Sequence, residues 1–443
     1  MSDGTLQTLD ASMLEDVNNN SGLVQLDSNA KIPACSAAAV TNLPSITKSS
    51  SDPTRSTNPS GGVGTVYQNT TSGDMFVCTD ATAGSNVWTN VGTGSGDVEP
   101  YNPRTSNYGY MLGGHEAFFT RDIQRWSYTS DGNATDVGDL ICEPLVYNSS
   151  GNATSKGLRY YSGANMSATH GYVNGGNFAQ YASGGGSYAI GSTKRHEKIA
   201  FASPSTVTNI TELRKHQNSH GGANSGTHGY LVGGMIEINN PPAYPQFGVH
   251  GPSPADYVDI DKFTFASDSA SVDSSADLTT GRNSGSCVSS TTHGFYAGGY
   301  RYVGGTVNII DKFPFASSSN ATDHGDCIAS EHRNGGQSMS ATHGFAHGGQ
   351  VSGGTMQNVI QKFAFSSNTT ATDHGDLTGA RAYNSASGAS TQGYGYSAGG
   401  YTTGWGKVNV IEKYAQASSA NATDVGDLAN TIVSAHMGGI CQS

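Results

Sequence analysis

Four histidines stand at one recurring place in this sequence, His170, His228, His293 and His343, and imidazoles gathered in that way are common transition-metal ligands. Tyr108 and Tyr394 fill the same place in two further copies, so the expected role is to brace a turn, and no metal is expected. Carboxylates three positions apart, Asp323 with Asp326 and Asp373 with Asp376, offer the oxygen chemistry of calcium. Their setting, Ala-Thr-Asp-x-Gly-Asp, lacks the ligand series of a twelve-residue calcium loop. These aspartates are expected to settle a turn and to meet the basic residue of the adjacent strand: Arg125, Lys198, Lys262, Lys312, Lys362 or Lys413.

Glycoside hydrolysis needs two carboxyl groups facing each other across the scissile bond. Glu143, Glu237 and Asp256 lie in long insertions, but nothing in the sequence pairs them. Gly-x-Ser-x-Gly, His-Glu-x-x-His and phosphate-loop motifs are missing. The reading is therefore no enzyme, no cofactor, and no catalytic or metal residue. Noncovalent recognition is left, and its candidates are aromatic: Tyr147, Phe178, Tyr181, Tyr188, Tyr244, Phe247 and Tyr257, set among Gly, Ser and Pro with His250 nearby. Rigid aromatic rings beside small hydrogen-bonding residues are what adaptable binding loops use. Sugars suit the mixture, since their rings pack apolar faces while Asn and Ser meet hydroxyls.

The elements that carry these residues repeat. An aromatic or His, then Gly, then Phe or Tyr, two free positions and Gly-Gly recurs six times: Tyr108–Gly114, His170–Gly176, His228–Gly234, His293–Gly299, His343–Gly349 and Tyr394–Gly400. An apolar strand follows, as in Ile260-Asp-Lys-Phe-Thr-Phe265, Ile310-Asp-Lys-Phe-Pro-Phe315 and Ile360-Gln-Lys-Phe-Ala-Phe365. Next comes Ala-Thr-Asp-x-Gly-Asp, at 134–139, 321–326, 371–376 and 422–427 but largely lost from units two and three, and then a small-residue strand such as 285–290. Four short strands per unit at a spacing near fifty residues read as propeller blades. Apolar residues on both faces of the third strand require sheets stacked on either side. The first unit lacks its small-residue strand, and 436–443 resembles 282–290, with Cys441 near the place of Cys287. The C-terminus is therefore expected to return as the innermost strand of the first sheet and to close a ring.

Insertions fall at related places. The step from Gly-Gly to the third-strand aromatic runs from Gly349 to Phe363 in unit five, but from Gly176 to Ile199 in unit two and from Gly234 to Phe263 in unit three. The extra stretch 141–156 belongs to unit one. In an up-and-down sheet these connections share one end, so all three insertions are expected on the same face.

Composition suits this layout. The chain has 443 residues, 60 of them Gly, and only 13% are charged, as tight turns between short strands demand. A formal charge of −12 argues against a nucleic-acid partner. Six Cys without a Cys-x-x-Cys pair support neither a zinc ribbon nor a disulfide frame. No basic, apolar leader opens the sequence and no apolar run approaches the ~18 residues of a membrane span, so a soluble protein without membrane insertion is expected.

The repeat, with a Gly pair ending the second strand and an aromatic strand after it, resembles the kelch repeat over roughly 104–443. The Trp usual later in a kelch unit is replaced by Ala-Thr-Asp-x-Gly-Asp, and the copper site of that family's enzyme branch has no match here. Residues 22–34, Gly-Leu-Val-Gln-Leu-Asp-Ser-Asn-Ala-Lys-Ile-Pro-Ala, resemble a segment of bacteriophage tail fibres. Residues 64–80, read as a hairpin, and 86–91, read as a third strand, are similar to small β units of phage tail and fibre proteins. The resemblance implies a virion structural protein: a virion-anchoring segment at 1–22, an extended stem at 23–59, a small β-hairpin module at 60–97, a linker at 98–106 and an all-β, six-bladed kelch-like β-propeller at 107–443. It also implies location on the virion as a tail or surface appendage, other tail or baseplate proteins as partners, and a homo-oligomer, with a trimer suggested by the stem. The expected function is host attachment by receptor binding, with a host surface glycan as ligand. A connector or decoration protein packed on other virion proteins and a polysaccharide depolymerase are the alternatives.

Overall fold

The computed structural model describes residues 46–92, 107–115, 119–141, 159–181, 188–236, 238–239, 255–333, 335–387, 393–429 and 440–442. The chain divides into two compact units, Met1–Pro100 and Tyr101–Ser443.

In the first unit, Val66–Asn69 and Met75–Asp80 pair antiparallel, and Val87–Asn90 adds to the second of them. Ile46–Ser49, which lies in the stretch read as an extended stem, pairs parallel to Val66–Asn69. Tyr67, Phe76, Cys78 and Trp88 form a small core, and Trp88 Nε1 donates to the carbonyl of Thr57 at 3.2 Å. The intervening loop thus covers the indole.

In the second unit, six four-stranded antiparallel sheets follow the repeat. Unit four shows the plan: Ser286–Ser289, His293–Ala297, Ile309–Pro314 and Thr322–Asp326 lie side by side in chain order. Along the third strand Ile310, Asp311 and Phe313 are all buried, so both faces are covered, as the apolar pattern requires. Units two and three keep their outer strands, Ser203–Asn209 and Val272–Asp277, although the Ala-Thr-Asp-x-Gly-Asp motif is gone. The chain end, Ile440–Gln442, pairs with the strand Tyr108–His115, and Cys441 faces Gly109. Gly294, the equivalent of Gly109, faces Ser289. Cys441 therefore takes the register of Ser289, two residues from the place of Cys287 that the sequence similarity suggested.

The expected six-bladed kelch-like propeller is corrected by the hydrogen bonding. Among the described residues the strands form twelve separate sheets, eight four-stranded and four two-stranded, and none closes on itself. Each repeat ladder stops at its outer strand, and strands of the inserted segments build further sheets outside the four-strand plan. The architecture is an all-β arrangement of many short antiparallel sheets, and the kelch and phage-fibre identification that rested on a propeller falls with it.

Repeat sheets are joined to one another by scattered hydrogen bonds and packed side chains. The amide of Ala321 donates to Asp277 O at 2.7 Å, Ala371 to Asp326 O at 2.7 Å, Ala422 to Asp376 O at 2.7 Å and Ala134 to Asp427 O at 2.8 Å. The Gly pairs serve the same joints. Gly234 N donates to Arg282 O at 3.0 Å, and a Cβ on Gly233, whose φ is +61°, would lie 2.5 Å from that carbonyl. Only glycine accepts both the left-handed backbone and the approach.

The first aspartate of Asp-x-Gly-Asp acts within its own turn: Asp323 Oδ1 accepts from Gly325 N at 2.8 Å and Asp373 Oδ1 from Gly375 N at 2.9 Å, whereas the second aspartate of unit one, Asp139, pairs with Arg121 of the adjacent strand at 3.1 Å. The expected contacts to the neighbouring basic residues are not the ones formed. Lys198 pairs with Asp268 at 2.6 Å and Lys413 with Asp131 at 2.6 Å, both in turns of other units, while Lys312 donates to Phe365 O at 3.4 Å. The second position of the third strand is buried and meets the linker that enters its own sheet: Asp311 with Arg282, Glu412 with Arg381, Asp261 with Arg214.

In unit five that position is Gln361, which donates from Nε2 to Glu331 Oε1. Burial pushes the Glu331 carboxyl up to about 8. A folded value above the unfolded one means the contribution is fully present below the unfolded value near 4.5 and is lost as pH rises through about 8. Burial lowers His332 to about 4 and His347 to about 3, and their contribution runs the other way, present above 6.5 and lost as pH falls through those values. The two effects separate in a variant: Glu331→Gln should gain stability relative to the parent by about 1 kcal/mol for each pH unit between about pH 5 and pH 7. Urea titrations of both proteins across that range check it, and parallel profiles would refute it.

Candidate recognition face

The up-and-down strand order of the repeat sheets fixes two ends. At one end the turns are short. His170, His228, His293 and His343 each bond through Nδ1 to the hydroxyl of the preceding threonine, Thr169, Thr227, Thr292 and Thr342, at 2.8 Å. Burial lowers the pKa of all four imidazoles. They brace turns. Among the described residues no group of three or more His, Cys, Asp or Glu is placed to hold a metal.

The other end carries the connections from second to third strand and from each sheet to the next. Here the linker of one unit bonds to the segment after the Gly pair. Asn218 bridges Met235, Asn283 bridges Tyr300, Glu331–His332 pairs with Gln350–Val351, and Arg381–Ala382 with Tyr401–Thr402. The inserted segments build a four-stranded sheet of their own, in the order Ile238–Asn239, Tyr188–Ser192, Asn177–Tyr181, Arg159–Tyr160. Its strands come from the insertions of units two and three and from the segment leading out of unit one. Its root is buried and polar: Asn218 Nδ2 donates to Asn177 Oδ1 at 2.7 Å and to Ser192 Oγ at 2.8 Å.

Three of the expected ligand-binding residues lie on this sheet. Phe178 is the register partner of Gly191 and Arg159, and Tyr181 is the register partner of Tyr188. Tyr257 lies elsewhere on the same end and is half-buried. Its hydroxyl donates to His216 O at 3.2 Å, Lys215 Nζ sits 4.0 Å above its ring, and burial raises its phenol pKa. Tyr257 therefore holds the linker of unit two, and its ring is already in use. Tyr147, Tyr244 and Phe247 lie outside the described residues, as do Glu143, Glu237 and His250. The Asp256 carboxylate accepts from Asn283 Nδ2 at 2.7 Å and from Tyr302 N, so it braces the next linker.

A second group of rings on this end escaped the sequence reading. Tyr383, Tyr401 and Trp405 touch one another, with centroids 5.6 Å apart for Tyr383 and Tyr401, 6.2 Å for Tyr383 and Trp405, and 5.4 Å for Tyr401 and Trp405. Tyr161 joins them 6.1 Å from Tyr383. Arg333 Cζ lies 4.6 Å from the Tyr383 centroid and Lys407 Nζ 6.0 Å from that of Tyr401. Insertion length guided the sequence reading, and unit six has none. The available signal was a lone Trp in a hairpin that is glycine-rich in its sister units.

A backbone chain supports these rings. Ser219 N donates to Tyr161 O at 2.7 Å, Ser284 N to Ser219 O at 2.8 Å, Arg333 N to Ser284 O at 2.7 Å and Tyr383 N to Arg333 O at 2.9 Å. All five residues are left-handed, with φ between 54° and 64°. A bulky residue there is a genuine outlier that its surroundings must hold in place.

No protein-family model matches the chain, and no curated protein matches it significantly.

Proposed function

We propose that this protein is a noncatalytic adhesin that binds a surface glycan of a host cell through the elaborated end of its repeat unit, displayed on a virion as a surface appendage. The observation that carries the reading is the sheet built from the inserted segments. Among the described residues, strands from the insertions of units two and three and from the segment leading out of unit one are gathered into one sheet, while the residues the units share are spent on turns and joints. Its strands bear Phe178, Tyr181 and Tyr188, and rings among small polar residues suit sugar faces and hydroxyls. The virion setting is part of the same proposal, and particle assembly and adsorption test it.

Replacing residues 178–191 by a short Gly-Ser turn tests it. The variant should melt within a few degrees of the parent and lose most of its capture by immobilised host polysaccharide. Particles carrying it should assemble and fail to adsorb. Normal adsorption with failed assembly would instead assign the end to contacts with other virion proteins. Shortened polysaccharide chains after incubation with the parent would assign a depolymerase.

A further inference from the structure

We propose that Tyr161, Tyr383, Tyr401 and Trp405, with Arg333 and Lys407, form a subsite for an anionic sugar residue of the uronic acid class. The sugar's apolar ring face would lie on Trp405, and its carboxylate would be met by the guanidinium of Arg333 and the ammonium of Lys407. The subsite rests on the glycan-binding reading above and supplies its ligand class.

Trp405 is the first reason. It is 55% exposed, whereas the other two tryptophans, Trp88 and Trp126, are 0% and 2% exposed. It also holds a left-handed backbone, with φ of +65°. The sister hairpins have glycine at that place: Gly354 in unit five, with φ of +90°, and Gly304 in unit four, with φ of +123°. Glycine fits that backbone without strain, so the turn itself does not call for the exposed indole. Tyr383 repeats the pattern, since it stands at φ of +60° where Ser219 and Ser284 stand in other units.

Charge is the second reason. Aromatic cages that take quaternary ammonium groups present bare ring faces to the cation. Here Arg333 and Lys407 already lie beside the faces of Tyr383 and Tyr401, and a cationic ligand would be repelled. Within a chain of net charge −12, two cations over the tyrosine rings that touch the exposed indole select a negative ligand. Guanidinium prefers a planar carboxylate, which it meets with paired hydrogen bonds. Gln350 Oε1 accepts from Arg333 Nη1 and fixes the side chain from behind.

The test uses the full chain, galacturonic acid oligomers and, as neutral control, maltohexaose. Trp405 alone among the tryptophans is open to solvent, so acrylamide quenching reports on it directly. The acidic oligomer should protect it from acrylamide and bind at least about tenfold more tightly than maltohexaose, as the loss of a charged anchor commonly reads. Trp405→Gly restores the sister sequence, so its melting temperature should be unchanged or higher while binding falls at least about tenfold. Arg333→Gln should weaken binding similarly, with Arg333→Lys between the two. Unshielded Trp405, equal binding of the neutral oligomer, or full binding by Trp405→Gly would each overturn the subsite. If Trp405→Gly still captures host polysaccharide and the 178–191 replacement does not, the subsite fails and the adhesin reading stands. If the oligomer binds at Trp405 while particles carrying the 178–191 replacement adsorb normally, the adhesin reading fails and the subsite stands.

Discussion

Asp311→Ala should lower the free energy of unfolding by about 3–5 kcal/mol, the range for removing one member of a buried ion pair. Arg282 and Asp311 are both fully buried. The carboxylate accepts from Arg282 Nη1 at 2.8 Å, from Thr279 N at 3.0 Å and from Thr279 Oγ1 at 2.7 Å. The guanidinium also donates to Gly298 O at 2.9 Å, Tyr296 O at 3.0 Å and Thr280 O at 3.2 Å. Every one of these groups lies at the joint between units three and four. Removing the carboxylate leaves a positive charge with only carbonyl dipoles and the Tyr296 ring, 5.0 Å away, for company and strips the Thr279 amide of its acceptor. The double variant Arg282→Met/Asp311→Leu removes both charges and should recover much of the loss, because the pair must first repay its own desolvation. Equilibrium urea unfolding of the parent and the two variants is the measurement. A single variant within about 1 kcal/mol of the parent would show that water reaches the joint.

Phe363→Ala should cost about 3–5 kcal/mol, as truncation of a buried aromatic ring does. The ring is 3% exposed and lies 5.9 Å from Phe295 of unit four and 6.2 Å from Phe365, centroid to centroid. It covers the backbone of Gly344, where a Cβ would sit 2.5 Å from its Cζ and 2.7 Å from Val288 Cγ2. The ring therefore packs on its own sheet and on the neighbouring one at once, and its loss opens a cavity at the joint. Phe363→Leu, which refills part of that volume, should cost well under half as much. Thermal and urea unfolding of both variants checks the order, and equal costs would mean that the neighbouring sheet collapses onto the site.

The repeated phrase made much of this legible in advance. A residue that recurs in every unit does the same local work in each, and that work depends on near neighbours. His293 braces its turn through Thr292, Gly234 receives the next linker, and Asp323 caps Gly325. The return of the C-terminal strand could also be read, because the first unit lacked a strand and the end of the chain resembled one. Its register could not. Cys441 matches Cys287 by type, but the ladder aligns it with Ser289, and backbone pairing is indifferent to that likeness. The partners of the lysines were misplaced for a related reason. Lys198 and Lys413 reach turns of other units, and such pairings depend on how sheets lie against each other.

Hydrophobic alternation and turn residues are local properties, so the amino-acid order alone determined the strands, their grouping by fours and the end of each sheet on which the long connections emerge. Only the tertiary structure decided that the repeat ladders stay separate and that segments from three units pair into a sheet of their own. It also decided that Tyr161 and Tyr383 come together with Trp405 beside two cations. The contacts responsible join residues far apart in the chain through backbone hydrogen bonds. Composition and spacing leave such bonds unmarked, and packing selects them.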